Sequence, residues 1–164
     1  MRAYRHSTVV FLLLFAASLS AQATATIILV RHAEKTAPTG DVSISTIGQA
    51  RAKKLTRVLN DANIRSIFVT EFKRTKETAA PSAEKFHVEQ KIIASNDIDA
   101  LVADLHNTPI GSTALVVGHS NTLPTIIERL GAGIVKIEDN EYDHLFVVSL
   151  TNGRASLLVL RYGD

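Results

Sequence analysis

Three short stretches carry residue types suited to gripping and attacking a phosphate group: Arg31-His32, Thr70-Glu71-Phe72-Lys73-Arg74 and Gly118-His119. Arginine offers planar forked donors and a permanent charge, matched to a tetrahedral dianion. Histidine can serve as an uncharged nucleophile near neutral pH. The chain has no cysteine, which excludes thiolate nucleophiles, Cys-ligated zinc, iron–sulfur clusters and disulfides. With no thiol and no metal-binding motif, a histidine flanked by arginines points to phosphoryl transfer. No cofactor is expected.

Such residues act together only if the fold delivers them to one place. Apolar runs alternate with amphipathic stretches along the chain. Strands are expected at Thr26–Val30, Ser66–Val69, Gln90–Ala94 and Thr113–Val117. Helices are expected at Ile47–Leu59, Lys73–Phe86 (with Pro81 as a flaw), Ile98–Leu105 and Asn121–Leu130. In the first helix, Ile47, Ala50, Leu55, Val58 and Leu59 read as the buried face. Arg51, Lys53, Lys54 and Arg57 read as a solvated one. Near the end, His144–Leu150 and Ala155–Arg161 flank Asn152-Gly153, a strong hairpin signal. Strands alternating with helices predict an α/β fold: a mostly parallel sheet, helices on both faces, and a C-terminal β-hairpin. Ligands of such sheets bind at the carboxyl ends of the strands. Arg31-His32 and Gly118-His119 close two predicted strands, and Arg74 follows a third. The loop Lys35–Thr46, holding Pro38 and Gly40, is long enough to border a binding site.

The segment Leu29-Val30-Arg31-His32-Ala33-Glu34 resembles the Arg-His-Gly signature of the histidine phosphatase superfamily, the phosphoglycerate mutase-like proteins. Asp41 to Ala50, Thr70 to Ala79 and Val116 to Ser120 resemble three further segments of that family, in order and at consistent spacing. The resemblance spans nearly all of the chain after the N-terminal stretch. It implies a three-layer αβα domain over 24–164. It also implies His32 as a nucleophile that becomes phosphohistidine, with Arg31, Arg74 and His119 forming the phosphate pocket around it. The compact length is similar to that of the phosphohistidine phosphatases.

Departures from the pattern matter. Ala33 replaces the signature glycine. The family's usual acid is a glutamate after the third strand, where this chain has Ser95-Asn96-Asp97-Ile98-Asp99. Asp97, then Asp99, is the candidate proton donor; a helix N-cap is the competing role for Asp97. His87 and His106 lie near helix ends and His144 opens a strand, so all three read as structural. Glu34 is given no catalytic role.

At the N-terminus, Arg2 and Arg5 precede the apolar run Val9–Ala17 and the small residues of Ala21-Gln22-Ala23. That is the layout of a secretory signal peptide over 1–23, too short for a membrane span. It implies an exported, periplasmic or secreted protein without a lasting membrane anchor. Arg2 and Arg5 also account for the whole formal charge of +2. The remaining chain is balanced, so a nucleic-acid partner is not expected. The expected partner is a small phosphorylated substrate. Three functions compete at this level: an exported phosphomonoesterase, a phosphohistidine-protein phosphatase, and a catalytically weak receptor for phosphate or a phosphosugar.

Overall fold

In the first strand, β1 (Thr24–Arg31), every residue from Ile27 to Val30 is buried. Ile27 and Leu29 enter one apolar cluster, and Ile28 and Val30 enter another. A strand apolar on both faces must lie inside a sheet covered on both sides. The computed structural model, which describes residues 24–163, builds such a sheet. After β1 come α1 (Thr46–Val58), β2 (Ile64–Val69), α2 (Lys73–Phe86), β3 (Gln90–Ile92), α3 (Ile98–His106), β4 (Thr113–Gly118), α4 (Leu123–Arg129), β5 (His144–Thr151) and β6 (Arg154–Arg161). The strand order is β3-β2-β4-β1-β5-β6. The first four of these are parallel, and β5 and β6 are antiparallel. Leu101, Leu105, Leu123, Ile126 and Ile127 of α3 and α4 cover one face. Leu55, Leu59 and Ala79, from α1 and α2, cover the other. The fold is therefore three-layer α/β, as expected. The hairpin turns at Asn152 (φ 50°) and Gly153 (φ 72°), the two left-handed residues that its tight turn requires.

The apolar face expected for α1 needs correction. Ile47 and Val58 are 67% and 56% exposed, and Ala50 is exposed as well. The buried stripe is Gly48, Ala52, Leu55, Thr56 and Leu59. Small and hydroxyl residues make this face because α1 packs close. A Cβ on Gly48 would lie 2.5 Å from the Glu34 carbonyl oxygen. Thr56 and the Ser82 hydroxyl of α2 meet at 2.8 Å in the seam, so the polar groups there are paired. Arg51, expected in solvent, instead binds Glu34 at 2.6 Å and the carbonyls of Tyr162 and Gly163. It thereby braces the loop after β1 against the end of β6.

Two elements are shorter than their sequence patterns. β3 stops at Ile92, and α4 starts only at Leu123. Before α4, the amides of Thr122 and Leu123 both donate to the His119 carbonyl, so residues 119–122 form a tight turn. Pro81 does not interrupt α2. Among the described residues no helix is long and apolar enough to cross a membrane. The stretch 1–23, read as a signal peptide, lies outside the described residues.

Candidate active site

β1 and β4 are parallel neighbours with Arg31 in register with Gly118. Both strands therefore end at one level, and the His32 amide donates to the Gly118 carbonyl at 2.9 Å. The next residue on each strand is a histidine. The rings of His32 and His119 stand edge to face, 5.4 Å between centroids, and both residues are buried. Arg74 arrives from the first turn of α2. Arg31, His32, Arg74 and His119 line one open cavity of about 660 Å³, with Lys35, Phe72, Asn96 and Ser120 on its walls.

Hydrogen bonds set the chemistry of the two imidazoles. His32 Nδ1 lies 2.8 Å from the carbonyl oxygen of Ala33. A carbonyl only accepts, so Nδ1 carries the proton and Nε2 holds the free lone pair. His119 Nε2 meets the Thr70 hydroxyl at 3.1 Å. Burial, the largest cause, lowers the His32 pKa to about 3, helped by His119 and both arginines and opposed by the bond to Ala33. Burial and then Arg74 lower His119 to about 4, against an upward pull from Glu71. Both rings are thus neutral over the physiological range, the form in which an imidazole can attack.

The arginines are held differently. Nη1 of Arg31 donates to the carbonyls of Glu138, Asp139 and Glu141 at 3.0, 2.9 and 3.1 Å. Its guanidinium also stacks on the Tyr142 ring at 4.1 Å. Arg74 stacks on Phe72 at 4.1 Å. In both residues Nε is buried and has no hydrogen-bond partner in the protein.

A surrounding network fixes these parts relative to one another. The Thr78 hydroxyl accepts from the Ala33 amide at 2.9 Å and donates to the Arg74 carbonyl at 2.7 Å. One side chain thus joins the loop of His32 to the helix of Arg74. Ala33 is completely buried there. Asp41 accepts from the Lys73 amide and caps α2, whose own N-cap residue, Phe72, has no side-chain acceptor. Glu77 accepts from the Ile44 amide. The loop after β1 is in this way tied to α2 at both ends.

Neither acid named from the sequence lines this cavity, although Ser95, Asn96 and Ile98 beside Asp97 do. Asp97, expected as proton donor, accepts from the Ala100 amide at 3.1 Å and caps α3. It lines a separate, mostly apolar crevice of about 20 Å³. Asp99 pairs with Arg129 on the surface. His87 and His106 close α2 and α3, and His144 stacks on Phe146. Sequence reasoning missed Phe72, Glu71, Asp139 and Tyr142. An aromatic residue two positions before Arg74 was a usable signal for Phe72. Tyr142 and Asp139 belong to an irregular segment with no motif. Glu71 accepts from the Ser95 amide and hydroxyl, both at 2.8 Å, joining the loops after β2 and β3. Among the described residues no group of three or more His, Asp or Glu is arranged to hold a metal ion.

The lowered histidine pKa values make stability depend on pH. An unfolded histidine titrates near 6.5, so below that pH the unfolded chain binds more protons than the folded one. The stabilisation present above pH 6.5 is lost as the pH falls toward the folded values of about 4 and about 3. Urea denaturation should therefore show stability dropping from pH 6.5 to pH 4. His32→Gln should shallow that slope by up to about 1.4 kcal/mol per pH unit, one proton's worth. An unchanged slope would mean that His32 is already charged in the folded protein.

Residues 27–98 match the profile of the histidine phosphatase superfamily (branch 1). No curated protein matches the sequence. Among solved structures, the chain is similar to the protein histidine phosphatase SixA in complex with tungstate. That match has 14% identity and a TM-score of 0.68, covering 83% of this chain and 96% of that one. The α-ribazole phosphatase of Shigella flexneri aligns with 15% identity and a TM-score of 0.66, with coverages of 83% and 96%. Phosphoglycerate mutase from Plasmodium falciparum aligns with 20% identity and a TM-score of 0.59, with coverages of 86% and 91%. At these identities the likeness is one of fold.

Proposed function

We propose, from the match of residues 27–98 to the histidine phosphatase superfamily, that this chain hydrolyses phosphomonoesters through a phosphohistidine formed on His32. The observation that carries the reading is the convergence of two guanidinium groups and two neutral histidines on one open cavity. The Nε2 lone pair of His32 attacks phosphorus, the P–O ester bond breaks, and the departing oxygen takes a proton. Water then attacks the phosphohistidine, releasing inorganic phosphate and restoring the neutral ring. The guanidinium groups and His119 stabilise the charge on the nonbridging oxygens. The cavity is open, which supports water over a second sugar phosphate as acceptor.

The proton for the departing oxygen needs a source. Asp97 is committed to its cap and Glu71 to Ser95, which leaves Asp139 as the acidic residue on the cavity lining. Asp139→Asn should slow an alkyl phosphate by about 10²-fold or more, the usual worth of general acid catalysis. The same change should spare p-nitrophenyl phosphate, whose leaving group needs no proton. Equal slowing of both substrates would remove Asp139 from proton transfer.

One observation favours a second reading. The cavity is open, and its acid supply is thin, which suits a nitrogen-linked phosphoryl group on a protein. Comparing a phosphohistidine peptide with alkyl phosphates separates the two. Preference for alkyl esters supports the first reading. Tight phosphate binding without turnover of either would leave a receptor instead. The basic, apolar and small-residue layout of 1–23 supports export; the N-terminal sequence of the mature protein should begin just after Ala23.

A further inference from the structure

The two edges of the sheet are finished differently. β3, at one edge, is three residues long with Lys91 in its middle. Short edges and lysines keep a sheet from pairing with another chain. β6, at the other edge, runs eight residues and pairs with β5 in unbroken register. Among the described residues no strand pairs with its outer side. Between Arg154 and Arg161 it contains no charge and no proline. Leu158, Val159 and Leu160 are 55%, 46% and 45% exposed. A long, straight, apolar edge presents a row of backbone donors and acceptors that fit another strand.

We propose that β6 is a self-association edge, on which a second copy of this chain lays its own β6 antiparallel, continuing the sheet across a two-fold axis at Val159. A two-fold axis normal to the sheet keeps each residue on its own face and pairs only residues an even number apart. With the axis at Val159, that residue opposes its counterpart, and Leu158 opposes Leu160 in both directions. All three exposed apolar residues then meet apolar residues. An axis one residue earlier would set Ser156 against Leu160. Leu158 and Leu160 lie across β5 from Val147 and Leu145, so the new leucine contacts extend the existing apolar face. Val159 lies across from Phe146 on the opposite face.

Charge points to the same occupant. In this register Arg161 opposes Leu157, and the two Arg161 positions are offset by roughly 13 Å along the strands. Arg161 is moreover neutralised within its own chain by Asp143 at 2.6 Å and Glu141 at 2.9 Å. An edge that is uncharged between its ends and symmetric in its exposed residues fits another such edge, and β6 itself is one. The cavity is lined by Arg31 at the end of β1 and by residues of loops and helix starts, none of them from β6, so pairing at β6 leaves it open.

Sedimentation equilibrium of the purified chain tests this. The parent should be a dimer in the micromolar range. Val159→Lys and Val159→Glu should each weaken association at least tenfold, because like charges face one another across the axis. Mixing the two variants should restore dimers, since lysine then faces glutamate. Circular dichroism and the melting temperature show whether each variant folds. If one does not, Leu158→Lys and Leu160→Glu should each weaken association by setting a charge against leucine, and their mixture should restore it, since lysine then faces glutamate. A parent that stays monomeric at several hundred micromolar overturns the proposal. So does a dimer indifferent to Val159→Lys, or a mixture that fails to reassociate. These readouts are independent of phosphatase activity.

Discussion

His32→Ala is expected to remove turnover of p-nitrophenyl phosphate by about 10⁴-fold or more, as loss of a covalent nucleophile does elsewhere. The argument rests on the state of one nitrogen. Ala33 accepts from Nδ1 and so fixes the tautomer that leaves Nε2 unprotonated. Burial then keeps the ring neutral at any ordinary pH. The two effects together make Nε2 a standing nucleophile rather than one that must first lose a proton. Rapid mixing with a labelled ester, quenched in alkali, should trap label on the parent in a form that is stable to base and lost in acid. The variant should trap none while melting at a similar temperature. Brisk cleavage by His32→Ala would overturn the phosphohistidine route, whatever else the cavity does.

Arg74→Gln is expected to lower kcat/KM by about 10²–10³-fold, the usual effect of deleting one preorganised donor to a developing oxyanion. It should also erase the stabilisation by inorganic phosphate or vanadate. A ligand that binds only the folded state at a hundred times its Kd adds about 2.7 kcal/mol, which thermal melts resolve easily. Arg74 is a cleaner probe than Arg31. The Arg31 guanidinium satisfies three backbone carbonyls, so removing it disturbs the segment they belong to. Arg74 stacks on Phe72 and holds no backbone carbonyl among the described residues, so its loss should disturb the fold less. A ligand-induced shift that persists in Arg74→Gln would put the phosphate elsewhere.

How far the sequence reveals this arrangement depends on what kind of interaction does the positioning. Parallel strands announce themselves as unbroken apolar runs, and the residue that ends each run is delivered to a predictable edge. That is why the sequence alone groups Arg31, His32 and His119, with Arg74 a few residues beyond a third strand. Helix faces were less legible. Close packing of α1 is made by Gly48, Ala52 and Thr56, which apolar periodicity does not count, while Ile47 and Val58 are left in solvent. Asp97 shows a different limit. An aspartate before a helix looks the same in sequence whether it caps or donates a proton; the structure shows the cap, through the bond from the Ala100 amide. The segment around Glu138 to Tyr142 was invisible because it contributes carbonyl oxygens and one stacked ring, neither of which leaves a spacing pattern.

That segment has an evolutionary corollary. Every amino acid brings the same carbonyl oxygen, so exchanges at Glu138, Asp139 or Glu141 leave the grip on Arg31 standing. Of the three, Glu138 pairs only with Lys136 at the surface, so its side chain is the one free to drift while the guanidinium stays seated. A library randomised at that codon should accordingly yield a high share of folded, phosphate-retaining members.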